Sequence, residues 1–395
     1  MKRTIFTGGA VFTGGELRST EVLAADGRIA AIGAGLDRAG CEVVQLGGNI
    51  LSPGFIDVHT HGGAGVDINA ASYEELCALS CFFAGQGVTG FLASILTDTE
   101  EATERAIGNV CRLMEEPAPG AKCLGIHLEG PFLCLKYKGA MPPELLREGD
   151  ASLFRRYQRK AGGRVRYMTV APEVPGVLDM LAELRGECVM AIGHSDADYE
   201  TAREAIRRGV CSCTHTFNVM SLFHQHRPAV MGAVLESDVY CEAICDGRHL
   251  HPGTVRMLLK CKGWDKVVAI TDSMQAAGLP DGDYMLGINP VTVTDGDAKI
   301  SGTDIRAGST LTLAQAVKKI AAFTGEGPEK VLPLLTANPA KLIGEFPRPR
   351  RHSRRQGRGP RSPLAGARRA RHMLGRQIGI RRRQRIKEDI IMNIT

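Results

Sequence analysis

At 395 residues, with 44% hydrophobic residues and 47 glycines, the chain has a globular composition rich in tight turns. No apolar run approaches the roughly 18–20 residues of a membrane span, and the basic start MKRTIFTGGAVF lacks the apolar stretch of a signal peptide. Twelve cysteines without a CxxC pair read as reduced core residues of a cytoplasmic protein, not a disulfide framework.

The net charge of +6 hides a division. From Phe346 to the end there are 16 basic residues against Glu388 and Asp389, which leaves 33 basic against 41 acidic in the remainder. The body is mildly acidic and the basicity belongs to one tail.

Residues 1–50 read as short strands broken by Gly and Asp-Gly turns, with Asp26-Gly27 as a hairpin signal. From Ile50 the rhythm changes. Eight apolar strand candidates follow: LSPGFIDVH, GVTGFLAS, CLGIHLEG, VRYMTVAPE, CVMAIGHS, VCSCTHTFN, VYCEAICDG and KVVAITDS. Amphipathic segments such as SYEELCALSCFFAGQG and DADYETAREAIRRG separate most of them. Eight β-then-α units with continuous apolar strands predict an α/β protein built as a closed (β/α)8 TIM barrel rather than an open sheet. The excursion YMLGINPVTVTDGDAKISG follows strand eight, and helices are expected over 310–323 and 328–343. The domains expected are 1–50, part of a small β-sandwich; 51–345, the barrel; and 346–395, an Arg-rich tail.

Several strands end in a residue able to bind metal. Strand one ends His59-Thr60-His61, strand three Glu129, strand five His194, strand six His215 and strand eight Asp272. In a barrel these ends converge on one face, where active sites sit. His59 and His61 stand at i and i+2 of an extended segment and point the same way. A carboxylate such as Glu129 at the end of a buried strand is costly unless something pairs with it. Each has a structural reading when taken singly: a hydrogen-bonded core histidine, or for Asp272 a helix cap. Five strands ending this way favour one joint reading, a divalent metal site of His59, His61, Glu129, His194, His215 and Asp272. Asp272 is placed to serve also as general base.

Together PGFIDVHTHG, HLEGPF, KGAMPPE, APE, GHSDADYE, THTFNVM, DGRHLHP and TDSMQAAG resemble the N-acetylglucosamine-6-phosphate deacetylases of the amidohydrolase superfamily. The likeness runs to about Gly344. It implies a barrel with a small β-sandwich formed by both chain ends. It implies that Glu129, His194 and His215 hold a principal metal, and that His59 and His61, with Glu129 and Asp272, hold a second. One or two ions are implied, zinc or ferrous iron by donor type. Asp272 would take a proton from the attacking water and pass it to the leaving amine. Met141, Asn218, Val219, Arg227 and His249 match substrate-binding positions. Arg227 and His249 would hold the sugar phosphate, often across a dimer interface; His249 has a capping role near Pro252 as its alternative, with His251 competing for it. The resemblance thus implies a small-molecule amino-sugar phosphate substrate, hydrolysed to acetate and glucosamine 6-phosphate, and a homodimer, with no nucleic-acid or membrane partner.

Two departures stand out. Met141 replaces a histidine of the family loop, and a thioether cannot donate a hydrogen bond to a substrate carbonyl. The tail also lacks the Gly-rich turn and the strand resembling GKDADLVV that complete the family's sandwich. Residues 351–362, RHSRRQGRGPRS, can be written with permitted codons that, read one nucleotide later, spell GTAGGKDADLVV. A frameshift between about Gly344 and Arg351 is therefore expected. The +1 frame of the gene tests it, and an early stop there would sink it. As written, the basic tail has two other readings, a solvated segment or a nucleic-acid arm.

Overall fold

Continuous apolar runs separated by capped amphipathic helices build the centre of the molecule. The computed structural model describes residues 2–116, 118–346 and 391–392. Eight parallel strands lie in chain order around a barrel: Phe55–Asp57, Val88–Leu96, Lys122–Glu129, Val165–Val170, Val189–Ile192, Val210–Cys213, Tyr240–Ile244 and Val267–Ile270. They coincide with the eight expected strands. Helices start where short polar side chains satisfy free backbone N–H groups. Ser72 and Glu75 form a capping box on Tyr73–Gly85, Thr99 caps Glu100–Glu115 and Asp198 caps Tyr199–Arg208. One apolar core, including Phe55, Phe91, Ile126 and Tyr167, joins strands to helices.

The seam between the first and eighth strands closes just beyond their ends, and this places the site. The Asp272 amide donates to the His59 carbonyl at 2.9 Å, and the His61 amide to the Ser273 carbonyl at 2.8 Å. Thr60 and Ser273 form a parallel bridge. Below them the buried carboxylate of Asp57 accepts from the Thr271 hydroxyl at 2.6 Å. Burial pushes the Asp57 carboxyl up to about 7, against the pull of these hydrogen bonds. Closing the barrel thus sets the His59–His61 segment beside Asp272.

The first fifty residues form two small sheets around Phe6, Val11, Val22, Leu46 and Leu51. One is ordered 28–33, 21–25, 3–7, 42–45; the other is 391–392, 50–51, 10–13, 16–19. Asp26 and Gly27, with φ of 49° and 75°, make the expected hairpin. Ile391–Met392 pairs antiparallel with Ile50–Leu51, so the tail contributes one short strand to the second sheet. Residues 351–362, on which the frameshift expectation falls, lie outside the described residues. Outer strands leave Ile29, Ile32 and Val43 exposed, an edge of the kind that invites pairing with another chain. After the eighth barrel strand, Gly282–Leu286, Asn289–Thr294 and Asp297–Ile300 form an antiparallel sheet. It packs on an apolar cluster that includes Leu133, Met141 and Met274.

Candidate metal centre

Each ligand candidate leaves its strand at the C-terminal end of the barrel. His194, His215 and Asp272 have φ of 49°, 27° and 49°. Non-glycine residues rarely adopt these left-handed conformations, which cost on the order of 1–3 kcal/mol and persist where the surroundings over-determine them. Here the three side chains meet Glu129 or His61 within 3.2 Å.

The result is a buried cage. The Nε2 atoms of His59 and His61 are 3.1 Å apart, as are those of His194 and His215. Glu129 joins the two pairs: its Oε1 is 3.1 Å from Nε2 of both His194 and His215, and its Oε2 is 3.2 Å from Nε2 of His61. Asp272 Oδ1 lies 3.2 Å from His61 Nε2 and 3.5 Å from His59 Nε2. His59, His61 and Glu129 form one possible metal-holding group, and Glu129, His194 and His215 another. The six residues expected from strand ends are thus brought together.

Ring orientation tests the fit to a cation. His194 Nδ1 is 2.9 Å from the Tyr137 carbonyl and His61 Nδ1 is 3.2 Å from the Ser94 carbonyl. A carbonyl can only accept, so Nδ1 carries the hydrogen in both rings and Nε2 of the neutral ring is a lone pair facing the cage. His59 Nδ1 faces the carboxylate of Glu242 at 2.9 Å with the same consequence. Lone pairs set against lone pairs at this spacing repel unless positive charge lies between them.

The electrostatics agree. Burial opposes charge on His59 and His61. The carboxylates of Asp272 and Glu129, with Glu242 for His59, outweigh it, holding His59 well above its ordinary value and His61 up to about 9. Burial also opposes charge on Glu129 and Asp272, yet the facing histidines, His59 foremost, hold both below the usual carboxylate range. The cage therefore draws in positive charge, either as protons or as a divalent cation that displaces them. His, Glu and Asp donors suit a hard-to-borderline divalent ion.

The remaining expected residues lie around the cage. Gly139 presses on it: a Cβ there would lie 3.2 Å from His194 Cε1 and 3.3 Å from Val219 Cγ1. Two residues on, Met141 is buried among Leu96, Leu133, Met274 and Leu286. The Asn218 side-chain amide donates to the His215 carbonyl at 3.0 Å, tying the loop after strand six to a ligand candidate. Arg227 is exposed at the foot of a tight turn that begins at His224. His249 Nδ1 is 2.6 Å from Asp246 Oδ2. His251, not His249, caps the helix Pro252–Lys262. Among the described residues, no hydrogen bond or ion pair joins Arg227 or His249 to the six cage residues. Strand-end reasoning passed over Glu242, although an acid inside the apolar run VYCEAICDG carries the same signal that singled out Glu129. The carbonyls of Tyr137 and Ser94 left no trace in the sequence, since every residue has one.

Residues 50–346 match the family model "Amidohydrolase family". The chain belongs to the amidohydrolase family. This amidohydrolase is 37% identical over 312 residues to N-acetylglucosamine-6-phosphate deacetylase of Bacillus subtilis (strain 168), covering 78% of each chain. It is 32% identical to N-acetylgalactosamine-6-phosphate deacetylase of Escherichia coli O157:H7, covering 84% of this chain and 86% of that one. Among solved structures it superposes on the N-acetyl-D-glucosamine-6-phosphate deacetylase of Mycobacterium smegmatis, bound to N-acetyl-D-glucosamine-6-phosphate, with a TM-score of 0.82 at 33% identity. That match covers 87% of this chain and 91% of the other. No helix among the described residues is long and apolar enough to cross a membrane.

Proposed function

We propose that this amidohydrolase hydrolyses the N-acetyl group of N-acetylglucosamine 6-phosphate to glucosamine 6-phosphate and acetate, using one or two divalent ions, zinc or ferrous iron. The observation that carries the reading is Glu129, a buried carboxylate shared by two histidine pairs with Asp272 beside one of them. Glu129, His194 and His215 would hold one ion; His59 and His61, with Glu129 and Asp272, would hold the other. An ion there supplies Lewis acidity toward the amide carbonyl and lowers the pKa of a water.

Asp272 performs the proton transfers. Its side chain is 12% exposed against 3% for Glu129, so of the two it is the one that meets an entering substrate. Its Oδ1 faces the histidines, while Oδ2 has no partner among the described residues. Positive charge within the cage, at His59 or on an ion held there, keeps the carboxyl ionised against burial, ready to accept a proton from the attacking water. As the C–N bond breaks, Asp272 returns that proton to the nitrogen, which leaves as the amine. Arg227 offers a planar fork for the phosphate, and the His249–Asp246 pair supports a second contact there. A homodimer in the cytoplasm fits this role; the mass of the protein in solution tests the dimer.

Acetate release from N-acetylglucosamine 6-phosphate by zinc- or iron-reconstituted protein is the direct test, and no release with either metal would overturn the reading. A second reading, hydrolysis of N-acetylgalactosamine 6-phosphate, is favoured by the similarity to the Escherichia coli relative and by Met141 in the substrate loop. Assaying both epimers side by side separates the two.

Two variants probe the substrate contacts. Arg227→Ala is expected to raise KM for the phosphorylated sugar by about 10–100-fold, the loss of a charged hydrogen bond of roughly 1.5–3 kcal/mol. The unphosphorylated sugar should be unaffected; equal effects on both would remove Arg227 from phosphate recognition. Met141→His is expected to raise turnover by at least about tenfold, since one oxyanion donor typically contributes about 10²–10³ and burial of a histidine subtracts from that gain. Unchanged turnover with a lowered melting temperature would make residue 141 a packing position only.

A further inference from the structure

Glu242 sits in the middle of the seventh barrel strand, Tyr240–Ile244, with no exposure to solvent. Isolated carboxylates are not placed there without compensation. Its Oε2 lies 2.9 Å from His59 Nδ1 and accepts the His215 backbone amide at 3.0 Å. The same oxygen therefore reaches one member of each histidine pair, but differently: a side-chain ring in His59, a backbone group in His215. Its Oε1 and the Nδ1 of His215 are the buried side-chain polar atoms left without a hydrogen-bond partner among the described residues. Among the described residues its ion-pair partner is His59, and no lysine or arginine pairs with it.

We propose that Glu242 is a positioning residue for the ion at His59 and His61, and so decides whether the centre holds two ions or one. It acts through His59. Accepting the Nδ1 hydrogen fixes the ring's tautomer and rotation, so that the Nε2 lone pair points at Glu129 and Asp272. The carboxylate charge also makes that lone pair a stronger donor. His61, His194 and His215 do not receive this support: the first two rest on neutral carbonyls and the third has no Nδ1 partner.

The inference rests on the metal-centre reading and not on the substrate. Its test is a zinc titration of the whole protein against a competing chelator, with bound zinc counted after desalting. Glu242→Gln keeps an oxygen for the His215 amide but removes the charge. One zinc is expected to bind as in the unaltered protein and the other about 10–100-fold more weakly. In a His59→Ala background, Glu242→Gln is expected to change nothing further, because the residue through which it acts is gone. Two zinc ions held with unaltered affinity would overturn the proposal. So would equal weakening of both ions, or additional loss in the His59→Ala background, since each indicates a general structural role. If Glu242→Gln does not fold, Glu242→Asp, which keeps the charge but falls short of His59, is put through the same cycle with the same expectation. An unaltered protein that binds two zinc ions without releasing acetate would refute the substrate reading and leave the role of Glu242 standing.

Discussion

Asp272→Asn is expected to lower acetate release by about 10²–10⁴-fold, the range of a lost general acid–base group, while the protein stays folded. Asparagine is nearly isosteric. The backbone of residue 272 still donates to the His59 carbonyl and accepts from the Ser309 amide, so the barrel seam survives. An amide oxygen can still face His61 Nε2, but it cannot accept and return a proton near neutral pH. Turnover and metal content are measured on the same preparation. Retained metal with lost turnover assigns Asp272 to proton transfer. Loss of both in proportion would make it a ligand first. Undiminished turnover would remove it from the mechanism.

Glu129→Gln is expected to empty the centre. Among the described residues, the Glu129 carboxylate reaches the imidazole rings of both histidine pairs, and its charge opposes the histidines across the cage. Removing that charge weakens both ion sites together, in contrast to Glu242→Gln, which is expected to weaken one. Because a bound ion contributes several kcal/mol to the reaction, turnover should fall roughly 10³-fold or more. Metal analysis after desalting and acetate release check this. A variant that keeps two ions would show that the histidines alone define the centre.

Much of the fold was legible because its signals are local. The eight apolar runs are strands in the structure, and the Asp26-Gly27 hairpin formed where two residues with positive φ were available. Polar residues at the ends of such runs pointed to the cage, because barrel strands run parallel and all end on one face. Glu242 was hidden by the opposite circumstance. It lies inside its strand and not at the end; an acid in an apolar run signals burial, but its partner His59 is 183 residues away and only the fold brings the two together.

The sequence by itself determined the parallel barrel, the sequence of donors His59, His61, Glu129, His194, His215 and Asp272, and the family resemblance. These follow from side-chain type and period, which are properties of each segment alone. Only the tertiary structure decided how the donors are used. Closure of the seam between strands one and eight put Asp272 beside His61. Left-handed turns at His194, His215 and Asp272 accompany side chains that meet Glu129 or His61. The carbonyls of Tyr137 and Ser94 and the carboxylate of Glu242 chose which nitrogen of each ring faces the centre. Those partners are between 33 and 183 residues away in the chain, and backbone carbonyls are the same at every position, so the choice could be made only in three dimensions.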